Sequence, residues 1–311
     1  MATLSAILSL ALCCASLNAL PRDGVLVSLA TERVADVEKG TGGRSLAFRV
    51  ALADGTRAYF KPEQSYAAYW FSEVASFHVD RLLALHRVSP VASRRLPWSV
   101  FAAEASDDPR RSEIRVAHDG SVRGAMIAWI DGELVPLALP DGWEAWLRFD
   151  ALPKVSPFQS VSDWRRARVT PRPRVVPKPD KPDRAAELSD LILFDHLIGN
   201  LDRWGGGFTN VRTLGRGGAL IYLDNANGFE HNRVRSKLLR VRLEAVQRFR
   251  RRTIEAIRRF DINALEARLG NEQAPPILDR QQLAELEVRR RQLLEHVAKM
   301  QRRHGRAALP W

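Results

Sequence analysis

Asp202 and Asp224 each stand just beyond an apolar run, a placement that suits phosphoryl transfer. The stretch 191–229, LILFDHLIGNLDRWGGGFTNVRTLGRGGALIYLDNANGF, has the pattern of an apolar helix stopped by Gly199. A polar loop with Asn200, Asp202 and Arg203 follows, then a β-type run, 219–223, that ends on Asp224-Asn225. Loops held by a rigid scaffold are where chemistry concentrates. Phosphoryl transfer needs one carboxylate to accept or orient the attacking hydroxyl. A second, after a strand, holds the metal that neutralises the phosphates, with a loop asparagine as a further ligand. Asp202, Asp224 and Asn210 are the candidates for these roles. Asn, Asp and Gly also form turns, so each dipeptide taken alone is more simply a loop.

The elements that would position a nucleotide lie upstream. Over 25–61, Gly40, Gly42 and Gly43 form a turn, Leu46, Phe48 and Val50 alternate, Asp54-Gly55 signals a hairpin, and 57–60 returns as a strand. Lys61 closes that strand, from which an amine can reach the phosphates of a nucleotide under the glycine turn. A solvated strand end is the alternative for Lys61, and a flexible hairpin for the glycines. Helical periodicity over 65–85 places Glu73 on one face with Trp70 and Phe77. A carboxylate on an apolar stripe is costly unless paired, and Lys61 is the natural partner. Met126 to Ile130 has the pattern of a strand leading to a hinge at Asp131-Gly132, where backbone groups could meet an adenine ring.

The order GNLDR then GGALIYLDNANG, with RAYFKPEQ and SEVASFHVDRLLAL upstream and FRRRTIEAI and the last helix downstream, resembles the kinase core of the four-jointed family. More distantly it is similar to the Golgi casein kinase family of secretory-pathway kinases. The likeness covers most of the chain after about residue 36. It implies an α+β, two-lobed atypical protein-kinase-like fold. A small β-rich N-lobe with one key helix (21–130) would precede a mainly helical C-lobe (131–311). It further implies ATP with Mg²⁺ or Mn²⁺ as cofactors. Asp202 would be the catalytic group, Asp224 and Asn210 the metal ligands, and Lys61, Glu73 and the turn of Gly40, Gly42 and Gly43 would bind the nucleotide. The acceptors would be Ser/Thr hydroxyls of secreted or extracytoplasmic proteins. Trp204-Gly205-Gly206-Gly207 lengthen the path from Asp202 to Asn210 beyond the ordinary kinase spacing of four intervening residues. A kinase for a sugar or other small hydroxyl, and a catalytically dead kinase-like module gripping an acidic partner, are the competing readings.

Composition bounds the rest. A chain of 311 residues with 45% hydrophobic content holds one bilobal domain or two small ones and is not disordered throughout. A net charge of +12 points to an acidic partner, and a nucleotide, an acidic protein segment, nucleic acid or an anionic membrane surface would each fit it. With neither zinc-finger spacing nor an RNP-type aromatic motif, the sequence supports no specific nucleic-acid role. Residues 1–20 carry no charged side chain, the pattern of a signal peptide or signal anchor, with a buried first helix as the alternative. Export would place the protein outside the cell, in the periplasm or in a secretory lumen, with membrane contact only through that segment if it is retained. Cys13 and Cys14, the chain's two cysteines, both lie in it, so its removal would leave neither a disulfide nor a thiolate site. The Pro- and Arg-rich insertion 153–183 has the composition of an exposed, partly extended linker, or of a funnel for acidic substrates. Helices are expected at 185–198, 238–260 and 280–303. On the first, Asp195 shares the apolar stripe and would need hydrogen-bond donors.

Overall fold

Strands of period-two alternation build the first layer. The computed structural model describes residues 20–65, 69–171, 173–230 and 237–311, so residues 1–19, with both cysteines, lie outside the described residues. After α1 (Leu26–Thr31) come β1 (Val34–Lys39), β2 (Phe48–Leu52) and β3 (Arg57–Pro62), then α2 (Trp70–Leu82), β4 (Val91–Pro97) and β5 (Ser121–Ala128). The five strands pair antiparallel in the order β1-β2-β3-β5-β4. Phe48, Val50 and Leu52 of β2 and Ala58 and Phe60 of β3 turn to one face, where they meet Phe101, Met126 and Leu29. Phe60 stacks on Phe101 at 4.8 Å. The intervening residues Tyr59 and Lys61 must then face the other way, because side chains on a strand alternate.

On that opposite side lies α2, whose Trp70, Val74 and Phe77 join a second and larger core. This core is shared with β6 (Leu134–Pro136), α3 (Val161–Arg165), α4 (Arg184–Ile198), β7 (Val211–Leu214), β8 (Leu220–Tyr222), α5 (Lys237–Ala245), α6 (Arg251–Arg259), α7 (Ile262–Gly270) and α8 (Arg280–His304), or is covered by them. β6, β7 and β8 form a small antiparallel sheet in that order. α4 is the shaft: every one of its residues is buried, and it packs on α5, α8 and β8. Its charged side chains are paired, Arg184 with Glu187, Asp190 with Arg250 and Asp195 with Arg203. The helix ends at Gly199 in the left-handed conformation (φ 76°), which residues with a side chain rarely adopt. α8 opens with a reciprocal capping box between Asp279 and Gln282. The two-lobed α+β arrangement expected from the sequence is present.

Three expectations need correction. The span 238–260 is not one helix: α5 and α6 are separated by extended residues whose amides bond elsewhere, Gln247 to Leu147 O, Phe249 to Ala308 O and Arg251 to Trp311 O. Tertiary backbone partners there outweigh helical propensity. The helix expected over 65–85 is shorter, beginning at Trp70 and ending at Leu82. The insertion 153–183 is not all solvated linker. Phe158 is buried against Trp143 and Trp204, α3 forms within it, and Trp146 Nε1 donates to Pro177 O at 2.6 Å. Its basic and proline content concealed these aromatic anchors.

Candidate active site

Lys61, on the inward face of β3, places its ammonium between two carboxylates. Nζ donates to Glu73 Oε1 at 2.6 Å and to Asp224 Oδ1 at 3.0 Å. Glu73 is 3% exposed, and its other oxygen accepts from Asn225 N at 3.1 Å and Asn225 Nδ2 at 3.3 Å. A buried carboxylate with both oxygens occupied is stable, whereas the same group alone would not be. Burial by itself would lower the Lys61 pKa, but the charges of Asp224 and Glu73 outweigh it and hold the ammonium above the usual lysine range. Lys61 in turn holds the Asp224 carboxyl below its ordinary range, against the effect of burial. Lys61 and Asp224 are therefore each shifted in the direction that keeps them charged near neutrality.

Asp224 sits at the end of β8 with φ 54°, a left-handed conformation uncommon for a residue with a side chain. Such strain persists only where surrounding structure fixes it, and it clusters at functional sites. Here the fixing group is Arg203. Its guanidinium bonds both oxygens of Asp195, at 3.0 Å for the closest contact, donates to Leu223 O, and reaches Asn225 Oδ1 at 2.6 Å. One buried arginine thus ties α4, the loop after it and the end of β8 together. Burial raises the Asp195 pKa and Arg203 opposes that rise. The donors that the sequence demanded for Asp195 are supplied by Arg203, whose role spacing alone left unassigned.

Asp202 occupies the loop between these anchors. Its amide donates to Asn200 Oδ1 at 2.9 Å, and Asn200 Nδ2 donates to Asp224 O at 3.4 Å. Its carboxylate is exposed and makes no hydrogen bond or ion pair with a described residue. Gly42, Gly43, Arg44 and Ser45, together with Tyr59, Lys61, Asp202, Asp224 and Asn227, line one cleft of about 480 Å³. An adjoining hollow of about 260 Å³ shares Tyr59, Lys61 and Asp224 with it, adds Glu73, and is otherwise largely apolar, walled by Val88, Val91, Ile127, Trp129, Leu134 and Leu223. An apolar slot that opens onto cations and carboxylates has the shape and polarity for a flat base bearing phosphates.

The structure brings together Lys61, Glu73, Asp224, Asp202, Gly42 and Gly43. It does not bring in two expected residues. Gly40 is not on the cleft wall: a Cβ there would fall 2.5 Å from Tyr59 Oη and 2.9 Å from Ala47 O, so its role is close packing. Asn210 lies in the turn before β7 and is not among the cleft-lining residues, because the glycines after Trp204 carry the chain away, while Trp204 itself is buried and stacked on Trp143 at 5.6 Å. Asn200, Asn225 and Asn227 are the asparagines near Asp224 instead, the last two in one run with it. Their signal was the DNANG run itself. Among the described residues no group of three or more His, Cys, Asp and Glu side chains is preformed for a metal, and the carboxylates that line the cleft are those of Asp202 and Asp224.

If Lys61 and Glu73 act as one unit, their losses will not add. Replacing both with alanine should cost nucleotide affinity less than the sum of the single replacements, by about 1–3 kcal/mol, in a titration cycle over all four proteins. Additive losses would dissolve the pair.

Residues 168–309 match the family described as Golgi casein kinase, C-terminal, Fam20. The chain is 26% identical over 323 residues to the human extracellular serine/threonine protein kinase FAM20C, covering 91% of this chain and 55% of that protein. It is 30% identical over 231 residues to human four-jointed box protein 1, covering 64% and 44%. The chain thus spans about half the length of these relatives. The crystal structure of the Golgi casein kinase with Mn/ADP bound superposes with a TM-score of 0.67 at 18% identity, over 92% of this chain and 78% of that one, a likeness of fold. The fold is the two-lobed kinase-like one, and over residues 168–309 the chain carries a Fam20-type Golgi casein kinase C-terminal domain.

Proposed function

We propose that this protein transfers the γ-phosphate of ATP to a Ser or Thr hydroxyl of proteins outside the cytoplasm. The observation that carries the reading is the convergence on one cleft of Lys61, paired with Glu73 and Asp224, and the Asp202 carboxylate, unpaired among the described residues. Lys61 orients the phosphates, with Glu73 holding its ammonium in place. Asp202 orients the acceptor hydroxyl and takes its proton as the oxygen bonds to the γ-phosphorus and the bond to the β–γ bridging oxygen breaks. Asp224 would hold a divalent cation, and its charged, left-handed placement at a strand end fits a hard oxygen ligand. Such a cation, Mg²⁺ or Mn²⁺, supplies neutralisation of phosphate charge when bound. On this reading residues 21–130 form the nucleotide-covering lobe and residues 131–311 the lobe that carries Asp202 and Asp224.

Acidic segments around the acceptor suit the chain's charge. Arg165, Arg174 and Lys178 of the insertion are exposed and unpaired among the described residues. A second reading, transfer to a sugar hydroxyl, is favoured by a separate cavity of about 240 Å³ beside the Asp202 loop. Trp143, Phe158, Trp204 and Phe208 contribute to it along with Asp141, Gln159 and Asp163. Aromatic faces suit the C–H face of a pyranose, and the polar groups suit its hydroxyls. Offering γ-labelled ATP with acidic Ser peptides and, separately, with xylosides decides between them by which acceptor gains label.

No helix among the described residues is long and apolar enough to cross a membrane. The uncharged run at 1–20 supports action in a lumen, the periplasm or outside the cell. A reporter active only after export, fused behind residues 1–30, should be active. Retention in the cytoplasm would return that segment to the fold.

A further inference from the structure

We propose that Arg242 is a positioning residue that fixes the Asp202 loop against the wall of the neighbouring cavity. Arg242 lies on α5, 3% exposed, and spends three donors on three backbone carbonyls: Nη1 to Leu201 O at 2.8 Å, Nε to Pro157 O at 2.9 Å and Nη2 to Gln159 O at 2.9 Å. Leu201 immediately precedes Asp202. Pro157 and Gln159 belong to the segment that walls the cavity, through Ser156, Phe158 and Gln159. Trp204, Gly207 and Phe208, in the same loop as Asp202, line the same cavity.

The grip is double. One turn earlier on the same face of α5, Leu238 and the adjacent Leu239 enclose the Leu201 side chain in a small cluster of their own, against which Val161 and Trp164 pack. Arg242 then takes the Leu201 carbonyl. Burial lowers the Arg242 pKa to about 10, with the carboxylates of Asp195 and Asp202 opposing that fall, so the guanidinium stays charged at neutrality. A planar fork satisfies carbonyls in three directions, which a single ammonium on a shorter path does not. Arg242 therefore links two chain segments 40 or more residues apart in sequence, and the distance between them sets where the Asp202 carboxylate lies relative to an acceptor. Displacement of a catalytic group by about 1 Å is enough to cost on the order of 100-fold in rate.

The consequence for catalysis rests on the reading of Asp202 given above, and the test separates the two. R242K keeps the charge and loses the fork. Expected for the folded variant is transfer reduced about 10- to 100-fold at saturating ATP, with ATP affinity in Mn²⁺ and thermal midpoint close to the parent's. It should also show faster hydrogen exchange at the amides of Leu201, Asp202 and Arg203 but not along α4. A purely structural role would instead lower ATP binding and transfer together and would speed exchange throughout the lobe, which overturns the proposal. So would parental transfer and parental exchange in R242K. If the parent itself transfers nothing, the kinase reading falls, and the exchange at 201–203 still decides whether Arg242 positions the loop. Should R242K not fold, R242Q is measured in the same way. If neither folds, Arg242 is a stability residue and the proposal fails.

Discussion

Asp202→Asn should fold, bind ATP with metal as the parent does, and transfer phosphate at least about 100-fold more slowly, the scale of a lost acid–base group. That loss corresponds to about 2.7 kcal/mol of transition-state stabilisation. The structural basis is that the Asp202 carboxylate makes no hydrogen bond with a described residue: its amide is tied to Asn200, and its charge acts on the buried Arg242 only at a distance. Replacing the charge with an isosteric amide leaves the Arg203, Asp195 and Asn225 network intact. Nucleotide titration and single-turnover transfer on the same preparation separate binding from chemistry. Equal transfer by parent and variant would make Asp202 an ordinary turn residue.

The second large effect concerns Asp224. Asp224→Asn should abolish the difference in ATP affinity between Mn²⁺ and EDTA. Loss of a carboxylate that itself holds the cation should exceed the 10- to 100-fold typical of an outer partner. Asparagine tolerates the left-handed φ of 54° at least as well as aspartate does, so it removes charge without adding strain. Asp224→Ala adds that strain and should lower the thermal midpoint as well. Removal of Asp224 leaves the Lys61 ammonium paired with Glu73 alone, so phosphate attraction in EDTA should persist. An unchanged metal dependence in Asp224→Asn would assign the cation elsewhere.

What the sequence disclosed was whatever had a local pattern. The strand run put Lys61 at its end, and the helical stripe put Glu73 on an apolar face where Lys61 was the natural partner. The pair followed from two local rules and one electrostatic cost. Asp195 on its apolar stripe likewise announced a missing donor, although Arg203 as the donor emerged only from the tertiary arrangement. What stayed hidden depended on distant partners. The break between α5 and α6 is made by carbonyls of Leu147, Ala308 and Trp311, and α7 was not anticipated. Asn210 satisfied a spacing argument that the path of the glycine-rich segment did not honour. Arg242 lies among several arginines in the helix expected over 238–260, with nothing local to single it out. Its three carbonyl acceptors come from segments that no sequence window includes.

The central claim, that this cleft moves a phosphoryl group rather than merely gripping a nucleotide or an acidic partner, is tested by incubating the purified protein with γ-labelled ATP, acceptor peptide and Mn²⁺ beside Asp202→Asn. The account predicts label on the acceptor with matching ADP release in the parent, no label in EDTA, and at most about one hundredth of the rate in the variant. ATP bound by both proteins, with neither label transfer nor ADP release from the parent, would contradict it and leave a kinase-shaped binding module.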